Sequence, residues 1–161
     1  MSVALWRSAV VVAVLLAHPA AARAQGQGGS GGGGGGSCSI SVTGINFGTY
    51  NVFNGTPLVS TGGLTFRCNP GGVVQIWLSA GQSGTYHSRA LFQAVEPLSY
   101  NLYRNATRSE IWGDGSSGTF EVSIAAEKNT WIPLTIYAEI PPMQDVTAGS
   151  YTDIITATIN F

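Results

Sequence analysis

The 161-residue chain carries seven Lys and Arg against eight Asp and Glu, a formal net charge of −1, and only 9% of its residues are charged. So sparse and balanced a charge excludes the basic surface that binding to nucleic acid or to an anionic membrane requires.

Residues 1–24 have the order of a secretory signal peptide: Arg7, then the apolar run Ser8 to Ala17, then Ala22-Arg23-Ala24. Cleavage is expected after Ala24. The apolar run is about half the ~20 residues that a membrane-spanning helix needs, and no later segment comes closer, so no membrane insertion is expected. Removing the segment takes away Arg7 and Arg23 and leaves five basic against eight acidic residues, a net charge of −3. Residues 25–37, Gln25 to Ser37, are Gln, Ser and Gly alone, with an unbroken run from Gly31 to Gly36. No side chain there can anchor a core, and the segment reads as a flexible tether. Residues 38–161 make one domain, long enough to bury a core. Cys38 and Cys68 are the two cysteines. An even count in an exported chain predicts one structural disulfide between them, and neither has a His or further Cys beside it to build a metal site.

The strand candidates, rich in β-branched and aromatic residues, are Ser39 to Val42, Leu64 to Cys68, Val73 to Leu78, Leu98 to Tyr103, Trp131 to Ile140 and Tyr151 to Phe161. Turn signals separate them at Asn54-Gly55, Asn69-Pro70-Gly71-Gly72, Gly113-Asp114-Gly115 and Ala148-Gly149. No stretch sustains a helical period. The pattern predicts an all-β antiparallel sandwich with Greek-key connections, a closed barrel being the alternative. Pro133 cannot donate a ladder hydrogen bond, so its strand should be bulged there or lie at an edge. Core positions are expected at Phe66, Ile76, Leu78, Leu102, Ile136, Ile155, Ile159 and Phe161.

In the last run Tyr151, Ile155, Ala157, Ile159 and Phe161 fall on one face, against Thr152, Thr156, Thr158 and Asn160 on the other, with Ile154 interrupting the polar face. A half-buried strand running to a terminal aromatic predicts that a partner recognises this end by strand addition.

Leu98-Ser99-Tyr100-Asn101-Leu102-Tyr103-Arg104-Asn105, followed by Ile111-Trp112-Gly113-Asp114-Gly115, resembles the signature of the spore coat protein U domain family, which includes subunits of archaic chaperone-usher pili. Ile45-Asn46-Phe47-Gly48-Thr49-Tyr50, the Cys38 and Cys68 pair, Leu78-Ser79-Ala80-Gly81, Arg89-Ala90-Leu91 and Ala148-Gly149-Ser150-Tyr151-Thr152-Asp153 add to the resemblance in family order, although Asn105 stands where the family often has an acid. The resemblance implies an immunoglobulin-like sandwich lacking its last strand. A strand from a periplasmic chaperone would fill the open groove, with basic chaperone residues on the subunit's terminal carboxylate. The N-terminal extension of another pilus subunit would replace it at an outer-membrane usher. Carried over residue by residue, the chaperone and donor-strand contacts fall on Tyr151, Ile155, Ile159 and Phe161. The implied protein is a non-enzymatic subunit of a surface fibre or coat, exported to the periplasm and then to the cell surface, serving attachment or biofilm formation.

Residues 25–37 depart from that pattern. A donor strand inserts alternating apolar side chains, each contributing roughly 1.5 to 3 kcal/mol on burial, and this extension has none. The expected subunit therefore accepts a strand without giving a good one. Two other classes stand beside it: a carbohydrate-binding adhesin using Trp77, Tyr100, Tyr103, Trp112 and Trp131, and a coat protein that completes its own sandwich.

No enzymatic chemistry is expected. His87 is the one histidine left after export and reads as a loop residue. Glu96, Glu110, Asp114 and Glu121 are scattered acids with no spacing that fixes a glycosidase pair. Gly113-Asp114-Gly115 lacks the further oxygen ligands of a calcium loop and reads as a turn. Asn105-Ala106-Thr107 matches a glycosylation sequon by chance. No metal or cofactor is expected.

Overall fold

The computed structural model describes residues 8–11 and 36–161. Most of the expected signal peptide, and residues 25–35 of the tether, lie outside the described residues. The strands are β1 (Ser8–Val11), β2 (Ser37–Thr43), β3 (Gly48–Asn51), β4 (Leu58–Asn69), β5 (Gly72–Leu78), β6 (Ala90–Gln93), β7 (Glu96–Ser99), β8 (Asn101–Tyr103), β9 (Val122–Ala126), β10 (Ile132–Ile140) and β11 (Ala157–Asn160). A four-stranded sheet, β2-β4-β10-β8, packs against a three-stranded one, β11-β5-β9, with β1-β3 and β6-β7 as two-stranded ribbons. Every pairing between these strands is antiparallel.

Period-two alternation puts the apolar residues between the layers. Leu64, Phe66 and Cys68 of β4, Val74, Ile76 and Leu78 of β5, and Ile136, Ala138 and Ile140 of β10 are buried in one core. The layers are aligned so that β2 lies on the side of β11 and β8 on the side of β9. Gly36, just before β2, abuts the ring of Phe161 just after β11. Arg104, just after β8, donates to the carbonyl of Glu121 just before β9 at 2.8 Å. Cys38 and Cys68, directly opposite in register, form a disulfide that ties β2 to the end of β4. Closing a loop with a sequence separation of 30 stabilises the domain by about 3 to 4 kcal/mol in the chain-entropy treatment.

Two polar devices lock the connections. The Tyr151 hydroxyl donates to the carbonyl of Thr147 at 3.0 Å, a tyrosine corner of the kind that marks immunoglobulin-like sandwiches. Arg89 is fully buried. Its guanidinium donates to the Ser79 carbonyl at 3.0 and 2.8 Å, to Asn101 Oδ1 at 2.9 Å and to the Trp112 carbonyl at 2.7 Å, and it stacks over the Tyr86 ring. Trp112, also buried, donates its indole N–H to the Ile76 carbonyl at 3.0 Å.

The six expected strands are present, but β4 begins at Leu58 rather than Leu64 and two others are divided or cut short. Leu98 to Tyr103 is divided between β7 and β8 at the buried Tyr100, whose amide bonds to the Arg89 carbonyl. β3, β6 and β9 are further strands, too short or too polar to stand out by alternation. The final strand is confined to β11. Ahead of it, Thr152 exchanges backbone hydrogen bonds with Phe92, and Thr156 bonds to Ser79. Pro133 sits where the sequence demands: β8 pairs only with Tyr137 to Glu139, so the first half of β10 is an edge.

Replacing Arg89 with Met should strand two buried carbonyls and Asn101, each such bond to a charged group being worth about 1.5 to 3 kcal/mol. The urea midpoint of Arg89→Met should fall by a large part of the total stability, whereas Lys128→Met, at an exposed position, should move it little.

Candidate functional site: the β11 edge

β11 pairs with β5 through Ala157↔Leu78, Thr158↔Trp77, Ile159↔Ile76 and Asn160↔Gln75. Among the described residues no strand pairs with its other side. The inward residues along this segment change character. Tyr151 and Asp153 are buried, whereas Ile155, Ala157 and Ile159 are only half-buried. On the facing edge strand β2, Ile40 and Val42 are half-buried in the same way. An apolar row that faces the core yet still meets water marks a seam between the layers that lacks a strand.

Asp153 belongs to the inward face that the alternation otherwise fills with apolar side chains. It is accommodated because its carboxylate accepts from Tyr100 Oη at 2.7 Å, from the Gln82 amide at 2.8 Å and from its own neighbour's amide, Ile154, at 2.7 Å. Gly81, with φ +72°, lies against this carboxylate, and any Cβ there would collide with it. The pair anchors the base of the segment that leads into β11. Burial, reinforced by the Asp153 charge and hydrogen bond, pushes the Tyr100 hydroxyl far above its ordinary value of 10.0. Burial lowers the Arg89 guanidinium, against the opposing pull of Tyr100, Tyr86 and Asp153.

Phe161 is corrected from core to surface: it lies beyond β11, 42% exposed, its ring against Gly36. Phe66, Ile76, Leu78, Leu102 and Ile136 are core, and Ile155 and Ile159 line the seam. β1, which pairs with β3 from Val11↔Gly48 to Ser8↔Asn51, falls inside the expected signal peptide. On that expectation the β3 edge is also free in the exported chain.

The other candidate residues are dispersed. His87 Nε2 makes an exposed hydrogen bond to the Ser117 carbonyl at 2.7 Å, and Asp114 Oδ1 accepts from the amide and hydroxyl of Ser116 within its own turn. Those bonds hold the Asp114 carboxyl below its ordinary value. Among the described residues no group of three or more His, Cys, Asp or Glu is placed to hold a metal, and no helix is long and apolar enough to cross a membrane. Of the five aromatics considered for sugar binding, Tyr100 and Trp112 are core residues, and Trp77 faces outward on the sheet opposite Tyr103.

Comparison with known proteins agrees with this architecture. The Spore Coat Protein U domain matches residues 35–158. The chain belongs to the Spore Coat Protein U domain family. Protein U of Myxococcus xanthus is 34% identical to this family member over 130 residues, which is 73% of the chain and 71% of that protein. Among solved structures, the CsuC-CsuE chaperone-tip adhesion subunit pre-assembly complex from archaic chaperone-usher Csu pili of Acinetobacter baumannii aligns with a TM-score of 0.54 at 23% identity. That alignment takes in 78% of this chain and 40% of the other. The likeness is one of fold: an all-β, immunoglobulin-like arrangement.

The Tyr100 environment sets an alkaline limit. Its folded pKa is raised, so the unfolded chain releases this proton first. The stability it contributes is complete below pH 10 and declines as pH climbs further. Urea titrations between pH 8 and 11 should show a steeper loss for the native chain than for Tyr100→Phe, which keeps the ring and cannot ionise.

Proposed function

We propose that this Spore Coat Protein U domain is a non-enzymatic structural subunit of a secreted surface fibre or coat, completed by a strand that another protein adds along β11. The observation that carries the reading is the β11 edge itself: one side paired to β5, the other unpaired among the described residues, above the half-buried row Ile155, Ala157 and Ile159. An added strand gains backbone hydrogen bonds from the edge and specificity from alternate side chains entering the seam. The resemblance to archaic pilus subunits supports a periplasmic chaperone as the first donor and an outer-membrane usher as the site of exchange, with attachment or biofilm formation as the role at the cell surface. Residues 25–37, with no apolar side chain, support a subunit that receives a strand and gives none in return. The sequence order of Arg7, the apolar run and Ala22-Arg23-Ala24 supports export with cleavage after Ala24.

Producing residues 25–161 in a bacterial periplasm, with and without an archaic-type chaperone, tests the reading. The expected product is a one-to-one complex, with aggregation or degradation when the chaperone is left out. A stable monomer recovered equally well alone overturns it. Within the complex, Ile155→Asp and Ile159→Asp should each abolish capture, because a charge would enter the seam, whereas Ile154→Asp, at a residue already 57% exposed, should leave it intact.

A further inference from the structure

The outer face of the four-stranded sheet is a separate surface, built by register and invisible in any one strand. Across it run the rows Ser39–Arg67, Ser41–Thr65–Pro133, Thr43–Gly63–Thr135 and Thr61–Tyr137–Tyr103. Its floor is hydroxyl side chains around a central glycine, Gly63, whose missing side chain leaves the middle low. Aromatic residues stand at both ends. Tyr137 and Tyr103 pair side by side at one. At the other, Trp131 is 48% exposed with the Arg67 guanidinium 4.7 Å from its ring centroid. From Arg67 to Thr61 along β4 the span is roughly 20 Å at about 3.3 Å per residue.

The Arg67 end of this face is cationic, whereas the carboxylate it does carry, Glu139 beyond Tyr137, lies at the far end and is paired with Arg108. Residues 36–95 contain no Asp or Glu at all, so β2 and β4 bring no carboxylate to the face, and the first half of β10 brings none either. Among the described residues Arg67 has no carboxylate within ion-pair distance, whereas Arg104 and Arg108 are each matched, to Glu110 and Glu139. A chain that is acidic overall after export therefore presents here a hydroxyl-rich trough ending in an unmatched cation on an exposed indole. Rings offer their faces to the C–H surface of a sugar, hydroxyls exchange hydrogen bonds with its hydroxyls, and the guanidinium suits a carboxylate.

We propose that this face binds an extended acidic polysaccharide of the uronate class, lying along β4 with a sugar ring on Trp131 and its carboxylate on Arg67. The site does not use β11 and stands or falls independently of strand addition.

Calorimetric titration of the exported chain, alone or as its chaperone complex, with an oligogalacturonate and with a neutral cello-oligosaccharide tests the proposal. Oligogalacturonate should bind, more weakly as salt is raised, and the neutral sugar on the order of tenfold less well. Trp131→Ala should lose on the order of tenfold in affinity for both sugars, and Arg67→Gln should remove the preference for the acidic one. Phe120→Ala, at another exposed ring stacked with an arginine, Arg104, but off this face, should change neither. Absence of binding, equal affinity for the two sugars, insensitivity to Trp131→Ala, or an equal loss in Phe120→Ala would each overturn it.

Discussion

The buried guanidinium of Arg89 is the contact on which the connections of this sandwich converge. A cation without water must meet acceptors on every side, and here they come from the end of β5 through Ser79, from β8 through Asn101 and from the following loop through Trp112. Three segments distant in sequence are thereby held in one arrangement, since moving any of them would expose a charge to an apolar interior. Asn101 Oδ1 also accepts from the amide of Leu102, so the same network sets where β8 begins.

That arrangement reaches the β11 edge through two further steps. Tyr100, whose amide bonds to the Arg89 carbonyl, donates its hydroxyl to Asp153, and Asp153 fixes the chain leading into β11. Below this anchor the tyrosine corner of Tyr151 sets the entry from the preceding loop. The segment before β11 is thus held by polar contacts at full burial. The strand itself has only the four register pairs with β5 and a half-covered apolar row. Within ten residues the chain thus passes from a rigid polar anchor to a strand with one side unpaired among the described residues.

The two candidate surfaces of the molecule differ in chemistry. The β11 seam is apolar and lacks backbone partners, conditions that suit a peptide strand. The outer face of the four-stranded sheet instead presents side chains, hydroxyls, rings and an unmatched arginine, which suits a polyhydroxylated ligand.

Much of this was legible in the residues alone. Alternation in Leu64 to Cys68, Val73 to Leu78 and Trp131 to Ile140 declared the strands and their buried sides, because side-chain direction in a strand has a period of two whatever the tertiary context. Pro133 declared an edge or a bulge, because it has no N–H to share. Local pattern could not show which strands become neighbours, since pairing joins residues tens of positions apart. Hence the sequence could not reveal that Arg89 and Asp153, two charged residues, belong inside, or that Phe161 ends outside against Gly36. It carried the strand inventory and the apolar character of the final run. Only the tertiary structure decided which edge stays open and which outward residues share a face, because both depend on register and on how the two layers align.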